Sequence, residues 1–325
     1  MEVIITGANA ITSPYLHIWD WRVAIYLFLG GLAAGCMVMS AIANLRPGKS
    51  VAPDDPCCWR VVILSPIILN IGMFFLFLDL EAKHNMLSFY TTLQPLSPMS
   101  WGSWILLLIF PAMIAYAFSV IPAENREVLR FKGLIKFAEQ MGRHLRLLAK
   151  INFAFGIILG IYTGVLLSSF AARPLWNSSI LPILFLNSAL STGAATMILM
   201  AHKNEVKLFF TKVDIWLIAC EIVVIGLLFY GQYTSSAAAR ESIMPFFTMS
   251  HEYFPYFVSI IALSVIFPLA IVLKFSEMAG EHSETLSLRQ KLEMNVSAIL
   301  VLLGGAIIRF ALVYAGQLSK FTGLS

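Results

Sequence analysis

The chain reads as an all-α integral membrane protein: eight transmembrane helices in two four-helix bundles, with both termini outside. Three observations predict this. Of 325 residues, 59% are hydrophobic and only 12% charged, against about 25% charged in a soluble domain. Apolar runs recur along the whole chain, at about 22–44, 60–81, 101–121, 147–170, 181–202, 213–231, 253–275 and 293–316, each near the ~20 residues that cross a bilayer. Sixteen of the 22 lysines and arginines flank or fill the connections after the first, third, fifth and seventh runs. Lysine and arginine mark the cytoplasmic side, so eight crossings leave both ends outside. The two bundles divide at 1–170 and 171–325.

The first run carries YLFLGGLAAG at 26–35, preceded by Trp19 and Trp21. Glycine inside a water-exposed helix costs roughly 0.5–1 kcal/mol against alanine. In lipid the backbone has no other partner, so the helix survives. Gly31 and Gly35 have the GxxxG spacing that lets a neighbouring helix approach. Which helix that is stays unreadable. The first 18 residues lack the basic start and continuous apolar stretch of a secretory signal. Cys36, Cys57, Cys58 and Cys220 have no metal or cluster spacing, and the adjacent pair reads as reduced thiols. The 82–100 connection holds Lys83, His84, Pro95 and Pro98, then Trp101 and Trp104; prolines and aromatics make turns and interfacial anchors. From Arg126 to Lys150 apolar residues fall at Val128, Phe131, Ile135, Ala138, Met141, Leu145 and Leu148, with basic residues between them. That helical spacing predicts a helix lying on the cytoplasmic leaflet, held by anionic lipid. A docking surface for a protein is the alternative. The connections at 171–180 and 232–252 are loops too short to be domains. FLGGLAAG (28–35) resembles FLNSALSTG (185–193), and Tyr162-Thr163-Gly164 resembles Tyr314-Ala315-Gly316, at offsets of 157 and 152. The two halves therefore read as similar four-helix units.

Haem is not expected. His17, His84, His144, His202, His251 and His282 all fall outside the spans or at their ends, and no CxxCH occurs. No cysteine quartet is present for an iron–sulfur cluster. Ionisable groups inside spans cost at least about 2.5–3.5 kcal/mol at the bilayer centre. They are Asp79 and Glu81 at the outer end of span two, Glu221 inside span six and Arg309 inside span eight. For Glu221 and Arg309 two readings stand: structural polar contacts between helices, or a proton relay with Glu81. Asp214 reads as an ordinary residue at the cytoplasmic start of span six. Tyr26, Tyr162 and Asp79 fall at one shallow outer level. Two phenols and a carboxyl, with the imidazole of His84 nearby, suit a quinone ring, whose carbonyls need donors and whose redox chemistry needs proton acceptors. Interfacial tyrosines and a surface carboxylate are the alternative.

YLFLGGLAAG, SPMSWGSW (97–104), YTGVLLSSFAARPLW (162–176), FLNSALSTG and RFALVYAGQ (309–317) together resemble the NrfD/polysulfide-reductase membrane-subunit family. The resemblance covers nearly the whole chain. It implies eight helices in two bundles, no cofactor fixed in this chain, and menaquinone or ubiquinone bound near the outer face of the first bundle. By that resemblance Tyr26 takes the quinone-contacting place on the first helix, where a relative has histidine, and Tyr162 takes that of a tyrosine on the fourth. Asp79 and His84 match by region only. It further implies a ferredoxin-like outer subunit with several 4Fe–4S clusters and a catalytic subunit, often a molybdopterin enzyme, acting on polysulfide, thiosulfate, tetrathionate or a similar acceptor. The expected role is a quinone-interacting anchor of a respiratory complex in a bacterial or archaeal cytoplasmic membrane, either non-catalytic or itself the quinol-oxidising or quinone-reducing subunit. Lipid is a partner and nucleic acid is not. A secondary transporter is the rival from another class, against which stands the expected lack of Pro-interrupted, broken midplane helices.

Overall fold

The computed structural model describes residues 19–46, 55–80, 83, 88–92, 94–128, 131–170, 172–249, 251, 253–276 and 286–318. Among them the only regular structure is helical. In chain order the helices are α1 (Trp21–Leu45), α2 (Cys57–Asp79), α3 (Ser88–Thr91), α4 (Pro98–Val120), α5 (Lys132–Gly142), α6 (Leu145–Ser168), α7 (Leu181–Met200), α8 (Asn204–Thr234), α9 (Ala237–Phe247), α10 (Phe254–Ile260), α11 (Phe267–Ser276) and α12 (Leu288–Leu318). A π-helical segment, Ile261–Ile266, joins α10 to α11. Eight spans are long and apolar enough to cross a membrane: α1, α2, α4, α6, α7, α8, the composite Phe254–Ile271, and α12. The chain is a multi-pass membrane protein.

Small residues decide which helices lie in the middle. In α1 and α7, 72% of the apolar window is buried, against 33% in α2 and 28% in α8. A side chain at Gly35 would overlap the Ala189 carbonyl, and one at Gly193 would overlap the Gly35 backbone. The two similar glycine-bearing segments therefore pack against each other, backbone on backbone. Lipid gives helices no hydrophobic reason to associate, so this close contact is what holds α1 to α7. Around that axis α1 touches α2 and α6, while α4 touches α2 and α6. Likewise α7 touches α8 and α12, and α11 touches both of those.

Several boundaries differ from the hydropathy reading. The 31 residues of α8 make a helix of about 46 Å, longer than the ~30 Å hydrocarbon core. Hydropathy sees only the part in lipid, while Glu205 and Lys207 extend the same helix towards Asn204. The expected single helix over 126–150 is divided. A 3-10 turn (Ala123–Val128) leads to α5, and the turn at Arg143 and His144 redirects the chain into α6. Helix α5 packs on α4, with Phe137 edge-on to Phe118 at 5.3 Å. Helix α9 was not anticipated; the Ser236 hydroxyl caps it by accepting from the Ala239 amide at 3.2 Å. The expectation of unbroken spans also fails. Pro66 lies inside α2 and Pro111 inside α4, and the π segment interrupts span seven. Pro111 and Pro268 are 157 residues apart, the offset that relates Phe28 to Phe185.

Candidate functional site

At the face where α1 begins, called here the leading face, the helices α1, α2, α4 and α6 enclose a cavity of about 210 Å³. Helical spacing brings its walls together. Val23 and Tyr26 come from α1, Met73, Leu76 and Asp79 from α2, Gly102, Ser103 and Leu106 from α4, and Tyr162 and Leu166 from α6. Tyr90 in α3 completes it. Three of the four candidate residues of the first half, Tyr26, Asp79 and Tyr162, therefore line one space. His84 lies outside the described residues, as does Glu81.

Depth follows from chain position. Tyr26 is five residues into α1 and Tyr162 six residues short of the end of α6. At 1.5 Å per residue both phenols lie about 8–9 Å below the helix ends. Asp79 is the last residue of α2 and sits at the mouth. Any side chain at Gly102 would overlap the Tyr162 phenol, so this glycine of SPMSWGSW gives the ring its room. Among the described residues no hydrogen bond reaches the phenol oxygen of Tyr26 or Tyr162. Both residues are largely buried, 3% and 6% exposed, and both line the cavity. Two such groups on one cavity are poised to donate to a ligand. Apart from Asp79, the Ser103 hydroxyl and the Tyr90 phenol, the remaining wall is aliphatic, aromatic and thioether. A cavity of ~150 Å³ already holds a benzene ring, so a quinone headgroup fits here in size and in donor chemistry.

The mouth and roof are built from the recognisable motifs. The Trp101 indole donates to the Pro95 carbonyl at 2.7 Å, and the Ser100 hydroxyl accepts from the Gln94 amide at 3.1 Å. Arg22 donates to the Leu78 carbonyl at 3.1 Å, fastening α1 to the end of α2. Trp19, itself a cavity wall, stacks on Trp176 at 5.1 Å. Its amide and carbonyl are both held by the Gln317 side chain, at 3.0 and 2.8 Å. The Trp176 indole donates to the Leu312 carbonyl at 2.7 Å, and Arg173 donates to the Gln317 carbonyl. ARPLW and YAGQ thus form a clamp that ties the start of α1 to the end of α12.

The second group of candidates lies deeper. Arg309 on α12 is fully buried. Its Nε donates to the Leu27 carbonyl at 3.1 Å; Nη1 donates to the Ser188 hydroxyl at 2.9 Å and to the Gly305 carbonyl at 2.8 Å. Its Nη2 has no partner among the described residues. A side chain at Gly31 would strike this guanidinium. The GxxxG pair of α1 is therefore divided, with Gly35 facing α7 and Gly31 admitting Arg309. Glu221 on α8 is buried, yet among the described residues no ion pair within 4.0 Å joins it to Arg309. Asp214 needs correction: it is 1% exposed, because α8 starts ten residues before it. Its Oδ1 accepts from the Ser191 hydroxyl at 2.6 Å. Sequence reasoning missed Tyr90 and Asp214. The heptad spacing of Lys207, Asp214 and Glu221 was the available signal for Asp214.

At the opposite, basic face Asp55 is buried between α1 and α2. Burial alone would raise its carboxyl. The backbone amides of Cys57, Lys203 and His202 outweigh that and hold it below the ordinary carboxylate range.

A family model described as polysulphide reductase, NrfD, matches residues 9–320. One of the polypeptides of the polysulfide reductase of Wolinella succinogenes is 27% identical over 308 residues, covering 92% of this chain and 94% of its own. Protein NrfD of Escherichia coli is 23% identical, covering 93% and 96%. A subunit of the tetrathionate reductase of Salmonella typhimurium is 27% identical, covering 68% and 60%.

Proposed function

The chain belongs to the polysulphide reductase NrfD family, and on that premise we propose that it is the quinone-interacting membrane anchor of a respiratory reductase complex. It exchanges electrons between a menaquinone or ubiquinone pool and a docked extracytoplasmic iron–sulfur subunit carrying several 4Fe–4S clusters. A catalytic subunit, of molybdopterin type, completes the complex. Relatives named as subunits of polysulfide and tetrathionate reductases support this setting. The contact pattern supports two four-helix bundles, and the distribution of basic residues supports termini outside the cytoplasmic membrane of a bacterium or archaeon.

One observation carries the reading: Tyr26 and Tyr162, whose phenols have no partner among the described residues, converge with Asp79 on an apolar cavity near the leading face. A bound quinone supplies the two-electron, two-proton chemistry. Tyr26 and Tyr162 would hold its carbonyl oxygens by donating to them, and Asp79 would take or return a proton at the mouth. The aliphatic walls exclude water. The Trp19 clamp holds the start of α1, and with it Tyr26, against the end of α12. Tyr26→Phe and Asp79→Asn in the assembled complex test the site. Quinol-linked turnover is expected to fall in both, and normal turnover in both removes it.

Glu221, Arg309 and Glu81 form the proposed proton relay, with Arg309 linking α12 to the carbonyl next to Tyr26. In proteoliposomes Glu221→Gln is expected to lower proton uptake per quinol; an unchanged yield leaves these groups structural. The paired prolines 111 and 268 and the broken seventh span favour a second reading, a transporter with sites at interrupted helices. Solute or ion flux through the chain reconstituted alone would establish it, and flux absent without redox partners argues against it.

A further inference from the structure

The buried face of α8 carries Lys207, Thr211, Asp214 and Glu221, spaced by four, three and seven residues. Such spacing keeps them on one stripe. At the basic end, Lys207 Nζ is bonded to Asn295 Oδ1 at 2.6 Å. Next come two unsatisfied atoms. Thr211 Oγ1 and Asp214 Oδ2 are buried and lack any hydrogen-bond partner among the described residues. They lie three residues apart on the same helix face. A carboxylate only accepts, whereas a hydroxyl both donates and accepts. Among the described residues no cation offsets the carboxylate. Lys207 is seven residues away and engaged, Glu221 is seven residues away on the other side and like-charged, and Arg309 gives its bonds to Leu27, Ser188 and Gly305. From α7 the Ser191 hydroxyl reaches only Oδ1. An isolated buried carboxylate with one neutral donor is strongly disfavoured. A proton on Oδ2, bridged to Thr211 through one water, satisfies both atoms.

We propose that Asp214 is a proton-loading site, charged through Thr211 from the basic face. Loading forms an O–H bond on Oδ2 with a proton from that water, which in the same relay accepts a replacement proton through the Thr211 hydroxyl from the basic face and so remains neutral. Unloading breaks the same bond towards the Glu221 side, and no electrons move. The site stands on α8 and Ser191 alone; only its service to turnover rests on the relay of the preceding section.

The test is infrared spectroscopy of the purified complex in lipid, with exchange from H2O to D2O. Wild type is expected to show a protonated-carboxyl C=O band that shifts on deuteration. Asp214→Asn, which matches the shape and keeps the Ser191 bond, is expected to abolish it. Thr211→Val is expected to slow the exchange about tenfold, the size of effect one lost hydrogen bond allows. Absence of the band in wild type, or its survival in Asp214→Asn, overturns the proposal. If the asparagine variant does not assemble, Ser191→Ala serves: removing the donor to Oδ1 must move the band, and an unmoved band overturns the assignment. Should Glu221→Gln leave the proton yield unchanged while the Asp214 band persists, the relay falls and the loading site stands.

Discussion

The two halves of the molecule share an order of helices and little else. Near the leading face the first half encloses a cavity of about 210 Å³, with three phenols (Tyr26, Tyr90 and Tyr162) and a carboxyl on its wall. The second half holds about 30 Å³ there, lined only by Leu, Ile, Ala and Phe. Aromatic rings fill the difference. Phe229 meets Phe246, Phe247 and Phe257 at 5.3–5.9 Å, and α9 supplies two of those. Charge is distributed the other way. Lys207, Asp214, Glu221 and Arg309 are buried in the second half, whereas among the described residues the first buries only Asp55, at the basic face, and its core relies on neutral contacts such as Asn44 to Tyr116 at 2.8 Å. Asn152 and Arg309, again 157 residues apart, show the divergence directly. Each grips a carbonyl of α1, those of Met37 and Leu27, and each leaves one atom without a partner among the described residues. One grip is neutral and the other cationic. The larger cavity thus lies within residues 1–170, and the buried Asp214, Glu221 and Arg309 lie within 171–325.

The largest expected effect comes from breaking the seam between the halves. Gly35→Leu must push α1 off α7, and overpacking of this kind costs roughly 1–3 kcal/mol or more. Extraction in detergent followed by size-exclusion should show loss of monodisperse protein. Gly226→Leu is the control, since nothing lies within 4 Å of its added side chain, and it should behave as wild type.

A smaller effect, confined to the first half, follows from Gly102→Val. It displaces the Tyr162 phenol and leaves the second half untouched. Quinol-linked turnover should fall by about 100-fold, the cost of misplacing a positioning group, with normal yield of folded protein. Tyr26→Phe removes one donor and should weaken quinol binding about tenfold, as one hydrogen bond of roughly 1–1.5 kcal/mol predicts. The same substitution should not alter the Asp214 infrared band.

The smallest effect concerns acid stability at the basic face. Asp55 is held below its unfolded value of about 3.9 because three backbone amides favour the charged form over burial. A depressed carboxyl contributes stability that is present above the unfolded value and lost as pH falls through the folded one. Asp55→Asn should therefore lower the melting temperature at neutral pH; the difference should begin to shrink near pH 4 and vanish only below the depressed folded value. A constant difference at all pH values would contradict the assignment.

Hydropathy revealed the eight spans because each run must match the bilayer. It also placed Tyr26 and Tyr162 at one depth, since position along a straight helix is arithmetic, whereas Asp79 ends α2 and sits above them at the mouth. Neighbour relations were not legible. Gly35 announced a close contact without saying that its partner is the similar segment at Gly193. ARPLW and YAGQ stood out as motifs, but only three-dimensional packing shows that they clamp Trp19. Asp214 escaped notice because hydropathy marks where lipid begins, and α8 begins ten residues earlier than Asp214. Helix α9 carries Arg240, Glu241 and Pro245, and its mixed composition reads as loop.

Photolabelling with an azido-quinone, followed by peptide mapping of the purified complex, tests most directly whether the first half is the ligand-receiving one. Label should fall on peptides containing Tyr26, Met73, Met99 and Tyr162, and excess quinol should prevent it. Label on α8 to α12, or label that quinol does not compete away, would contradict it.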